Sequence, residues 1–254
     1  MAIPALPGVT IGGYHCWNDW HCTLANKTIG YPEIVRHQVA VPGRDGYVDF
    51  TPYLLGRSAY RNRKIKIRLL YKAKYDRWPQ ILDHISFNLH GKYKDIVFDD
   101  DPNWIYRGRC SVSCSGIDKW SCYVDIEVDA DPFKLAKNER VETSIQFINT
   151  SVWQSRYDAT INVERGAFYT FEFQLNNPQS SVYGEVSLFA INGNMDKTMS
   201  YIDTKFTLRG ETVYNFGGQV VQADANGQLY IAVKTKDYNA SGQTFTMKVR
   251  EARL

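Results

Sequence analysis

The chain has 254 residues, 44% hydrophobic and 14% aromatic, with 22% charged and a formal net charge of +3. That length and apolar content exclude a disordered chain and suffice for one large core or two smaller ones, and two domains are the expected number. A charge so near balance argues against nucleic-acid binding by the molecule as a whole, although the basic excess is concentrated in residues 1–140.

No stretch approaches the roughly 18 continuous apolar residues of a membrane span. The start MAIPALPGVTIGG lacks the basic region and apolar core of a signal peptide, so assembly in the cytoplasm is expected. The five cysteines all fall in the first half and fit reduced, buried thiols better than a disulfide framework.

In chain order, the first feature is PGRDG at Pro42 to Gly46, followed by YVDFTPYLLG; Asp-Gly between alternating segments predicts a hairpin, because glycine accepts the positive φ that such turns need. In RKIKIRLLY the side chains of Ile65, Ile67, Leu69 and Tyr71 fall on one face and Lys64, Lys66 and Arg68 on the other, which predicts a half-buried strand. The segment YDRWPQILDHISFNLHGK places Trp78, Ile81, Leu82, Ile85 and Leu89 at helical spacing, with Asp76 as a cap, Pro79 in the first turn and Gly91 at the exit. Two strands follow, near Ile105 to Cys114 and Ser121 to Asp129, and the second turns Asp125, Glu127 and Asp129 outward.

The proline and charges of DADPFKLAKNER mark a boundary, giving domains 1–140 and 141–254. Beyond it, eight short alternating runs from SIQFI to TFTMKV, separated by turn residues, predict a β-sandwich of the jelly-roll kind. The fold class is therefore mainly β, with an N-terminal β-sandwich carrying one helix and a hairpin.

Several groups carry candidate chemistry. Asp99, Asp100 and Asp101 stand before a proline. Successive side chains of an extended segment point opposite ways, so the three cannot converge on one ion, and the composition is that of a turn. A metal-dependent hydrolase on these residues is the competing reading. HCWNDWHC offers a zinc half-site, but its cysteine gap is unlike the usual spacing, and buried thiols are the simpler account. Neither a phosphate-binding glycine loop, a nucleophile elbow nor a helical zinc motif is present, so no enzyme and no cofactor are expected.

The basic face of Lys64, Lys66 and Arg68, enlarged by Arg57, Arg61, Arg63, Lys72, Lys74 and Arg77, suits either nucleic acid or charge matching with Asp125, Glu127 and Asp129 on a neighbouring strand or subunit. Trp153 and Tyr157 are candidate sugar-stacking rings in the second domain, and packing is the alternative for each.

Taken in order, PGRDGYVDFT, YRNRKIKIRLLY, one amphipathic helix, KDIVFDDDPNWIYRGRC and a closing strand into DADPFKL resemble the distal tail proteins of siphophages that infect Gram-positive bacteria. The resemblance covers residues 30–135. It implies a non-catalytic virion component of the tail tip or baseplate, whose N-terminal domain forms a homohexameric ring around the channel through which DNA passes without specific binding. The implied partners are the major tail tube protein, the tape-measure protein and the tail-tip hub protein, with receptor-binding proteins or host cell-wall glycans beyond them. Arg44, Asp45, Gly46 and Arg63 occupy recurrent family positions, where turn, intra-domain and ring contacts are all open roles. The family's C-terminal domain is galectin-like or carbohydrate-binding-module-like. The alternative function is a host-surface carbohydrate-binding protein acting through that domain.

Overall fold

The computed structural model describes residues 7–43, 45–50, 59–72, 78–116, 121–138, 141–146, 154–162, 164, 167–176, 182–191, 202–208, 213–222, 228–238 and 244–254, the side chains after 140 only in part. Arg44, Arg57, Lys74, Asp76, Arg77 and Trp153 lie outside the described residues, as does the side chain of Tyr157. The chain divides into two compact units, residues 1–134 with Leu254, and residues 135–253.

The first unit is built on one antiparallel sheet. Strand β1 (Val9–Ile11) turns through Gly12 and Gly13 into β2 (Tyr14–His15), and β3 (Cys22–Ile29) follows. An arm of short strands comes next: β4 (Ile34–Val35) pairs with β7 (Ala59–Tyr60), and β5 (Gln38–Ala40) with β6 (Tyr47–Asp49). Its turn carries the sequence-expected glycine at positive φ, Gly46 at 83°. The chain then returns as β8 (Arg63–Lys72), helix α1 (Trp78–Leu89), β9 (Tyr93–Phe98), β10 (Trp104–Ser115) and β11 (Ser121–Ala130). Neighbours run β3-β8-β11-β10-β9-β1-β2. KDIVFDDDPNWIYRGRC is thus two strands, β9 and β10, with the aspartates in the turn between them.

Strict alternation explains why this sheet has one dry face. Ile65, Ile67 and Leu69 of β8 face Val124, Ile126 and Val128 of β11, all at most 1% exposed. Complete burial of each such side chain contributes about 1.5–3 kcal/mol. Helix α1 packs on β10 and β11, burying Ile85 and Leu89, with Trp78, Ile81 and Leu82 partly covered. Its exit is tied to the sheet, since Gly91 N donates to Cys110 O and Cys110 N to Lys92 O.

Gly108 marks where β10 changes partners, pairing with Lys94 of β9 and Ala130 of β11. A Cβ there would lie 2.5 Å from Ala130 Cα and from the Asp129 carbonyl oxygen. The two backbones meet this closely only because position 108 has no side chain.

The division between the units falls within β12 (Lys134–Ala136). The second unit contains β13 (Val141–Gln146), β14 (Gln154–Asn162), β15 (Phe168–Asn176), β16 (Val182–Ile191), β17 (Ile202–Leu208), β18 (Val213–Gln222), β19 (Gln228–Tyr238) and β20 (Thr244–Arg253). They pair in two sets of four, β18-β15-β20-β13 and β14-β19-β16-β17, all antiparallel. Tyr169, Met247 and Val249 are fully buried in the first set. Among the described residues α1 is the one helix, and the protein is mainly β.

Candidate functional site

The face of the first sheet opposite the core is charged and in register. Antiparallel pairing sets Lys64 against Asp129, Lys66 against Glu127 and Arg68 against Asp125. The corresponding N···O distances are 3.1, 3.3 and 2.6 Å, and Arg68 binds Asp125 through both Nε and an Nη at 2.6 and 3.2 Å. The Arg68 guanidinium holds the Asp125 carboxyl below the usual range, and Lys64 with Asn62 does the same for Asp129. Exposed pairs such as Lys66–Glu127 are worth roughly 0.2–1 kcal/mol in stability, so what the row mainly supplies is register, since a one-residue slip would set the cations among apolar groups.

The three aspartates are held apart by three different partners, a histidine and two lysines. Asp99 Oδ2 accepts from Gly8 N at 2.9 Å and lies 3.2 Å from His15 Nε2. Asp100 takes the Lys27 ammonium at 2.5 Å, and Asp101 takes that of Lys134 at 2.6 Å. The backbone closes a turn, with Asp101 N donating to Phe98 O and Trp104 N to Asp101 O. Both lysines also lie over rings: Lys27 is 4.5 Å from the Phe98 centroid, and Lys134 is 4.9 Å from that of Trp104. Among the described residues no group of three or more His, Cys, Asp or Glu side chains is placed to share a metal ion. The turn acts as a clasp, gathering β2, β3 and β12 onto the β9–β10 hairpin.

Arg63 does not enlarge the exposed basic patch as expected: it sits on the inward face of β8, 3% exposed, opposite to Lys64, Lys66 and Arg68. Its Nε donates to the Pro132 carbonyl at 3.0 Å, an Nη donates to the same oxygen, and the guanidinium lies 5.5 Å from the Tyr106 ring centroid. Burial lowers its pKa from the ordinary arginine value. The signal for this placement is in the sequence, because Arg63 shares the parity of Ile65, Ile67 and Leu69. A second polar contact had no such signal: the Tyr93 hydroxyl donates to Asp131, whose carboxyl is pushed up by burial.

HCWNDWHC divides by residue type. Cys16 and Cys22 are buried, joined by a 2.8 Å bond from Cys22 N to Cys16 O, whereas His15 turns to Asp99 and His21 lies in the left-handed region at φ 53°. Burial raises the thiols, Cys22 to about 12 and Cys110 to about 11.

The arm has a different character. Six of the ten exposed large apolar side chains among the described residues fall between Tyr31 and Phe50, with Tyr31 86% and Tyr47 68% exposed. Asp45 and Gly46 lie exposed at its tip. Such a concentration is characteristic of a contact surface. Among the described residues no helix is long and apolar enough to cross a membrane.

No protein-family model matches the sequence, and no curated protein matches it. The fold is shared with the SPP1 Dit (gp 19.1) protein, described as a paradigm of the hub adsorption apparatus in phages infecting Gram-positive bacteria, at 15% identity and a TM-score of 0.52 over 98% of this chain and 99% of that one. Two further similarities are to a particle protein of infectious bursal disease virus, Gx strain (11% identity, 99% of this chain and 58% of that one, TM-score 0.26), and to the Cry8Ea1 delta-endotoxin of Bacillus thuringiensis (9% identity, 89% and 42%, TM-score 0.25). At such TM-scores these two carry no argument.

Proposed function

We propose that this chain is a structural component of a phage tail, forming a homohexameric ring at the distal end of the tail tube. The observation that carries the reading is a fold shared end to end with a phage adsorption-apparatus hub protein, both chains being covered almost completely. In this reading residues 1–140 form the ring. The arm from Tyr31 to Phe50 reaches a neighbouring copy, Asp45 and Gly46 shape its tip, and the ion-paired face of β8 and β11 keeps the sheet rigid in the assembly.

Residues 141–254 form a jelly roll of the galectin or carbohydrate-binding-module kind, a reading supported by the strand order of the two four-stranded sets. That domain receives peripheral tail or receptor-binding proteins. The ring joins the tube protein and tape-measure protein on one side to the tail-tip hub on the other. The work is positional, so the protein acts as part of the virion without catalysing a reaction.

The test is the mass of the purified protein by light scattering, with negative-stain images of the same peak, for the native chain and for Tyr31→Ser with Tyr47→Ser. A hexameric ring with a central hole, weakened by the paired change, is the expected result. A monomer at high concentration, insensitive to the arm substitutions, overturns the reading.

A further inference from the structure

We infer that Cys114 and Cys122 form a reversible intrachain disulfide site, closed by thiol–disulfide exchange with a small-molecule disulfide. The two sulfurs stand 2.8 Å apart, closer than any packing contact between unbonded thiols requires and within about 1 Å of the bonded separation. They belong to adjacent strands whose register is fixed, Cys114 standing opposite Val124 and so diagonal to Cys122 on the same face. The pair is selective. Cys22 and Cys122 both stand opposite Tyr71, on either side of β8, which puts two strand spacings of roughly 4.8 Å between them. Cys110 stands opposite Val128, six residues along β11 from Cys122.

The two thiols have unequal roles. Cys114 is partly exposed, whereas Cys122 is buried, its thiol pushed up to about 12 by burial and by its bond with Cys114. The Cys114 thiolate attacks one sulfur of the small-molecule disulfide. That S–S bond breaks, one thiol departs, and a mixed disulfide remains on Cys114. The Cys122 sulfur then attacks the Cys114 sulfur, its proton passing to the second departing thiol. Two protein thiols lose two electrons and two protons, and the small-molecule disulfide is reduced to two thiols. The bridge fastens the Ser115/Ser121 end of the β10–β11 pair.

The experiment treats the native full-length protein with oxidised glutathione, then counts thiols after denaturation and maps linked peptides by mass. Trypsin separates the two residues onto segments 110–119 and 120–134. The expected result is loss of two of the five thiols, a linked 110–119/120–134 species with no retained glutathione, and reversal by a monothiol reductant. Cys114→Ser should keep all four remaining thiols, and Cys122→Ala should stop at one glutathione on Cys114. A wild-type protein that stops at a Cys114 glutathione adduct, forms a bridge at another pair, or keeps all five thiols after prolonged exposure refutes the proposal.

Discussion

Replacing Arg63 by methionine keeps an unbranched stem of similar length and removes only the guanidinium. The Pro132 carbonyl then loses two donated hydrogen bonds, one of them 3.0 Å long, and Tyr106 loses the cation above its ring. A buried acceptor left without a donor costs about 1–3 kcal/mol, and this carbonyl, being half-buried, falls in the lower half of that range. The cation–π contact adds roughly 0.5–1 kcal/mol, offset by the desolvation that a buried cation no longer requires. The expected loss is about 2 kcal/mol. With a urea slope of about 2 kcal/mol per molar, the first transition should shift down by about 1 M without a change in slope. The assay is tryptophan fluorescence in urea, with Lys66→Met on the outward face of the same strand as control. Arg63→Lys should recover part of the loss. If Arg63→Met and Lys66→Met prove equally mild, Arg63 is not fastening β8 to the segment after β11.

Four further outcomes follow from the same geometry. Gly108→Ala should destabilise the protein by at least about 1–3 kcal/mol, since the new methyl meets backbone on β11, and thermal melting measures it. Ile126→Ala, at the centre of the dry face, should cost about 2–5 kcal/mol in the same melt. Stability should fall with acid: Asp125 and Asp129 have folded pKa values below their unfolded ones, so what they contribute is present above about pH 4 and is lost as pH drops through the depressed values. Asp125→Asn should flatten that acid limb of urea midpoint against pH, whereas Asp131→Asn, removing a carboxyl whose folded pKa is raised, should not. Calcium, magnesium or EDTA should leave the melting temperature unchanged, because each aspartate of the turn already has its own partner, His15 for Asp99, Lys27 for Asp100 and Lys134 for Asp101.

The sequence by itself determined what is periodic and local. Alternation in β8 and β11 assigned Ile65, Ile67, Val124 and Ile126 to one face and the charged residues to the other, because side chains of a strand change sides at every step. Helical spacing located α1, and Asp-Gly located the turn of the arm, since both signals depend on neighbouring residues alone. The eight alternating runs after residue 140 each correspond to a strand. Tertiary structure decided which strands pair, so that β13 lies beside β20 although 102 positions separate Ser144 from its partner Thr246, and the neighbours of either in sequence cannot signal the match. It also decided that Gly108 must touch Ala130, that Arg63 finds Pro132, and that three adjacent aspartates meet His15, Lys27 and Lys134. Composition announced a turn at those aspartates, but their partners come from distant elements, and only the closing of the sheet brings such charges within bonding distance.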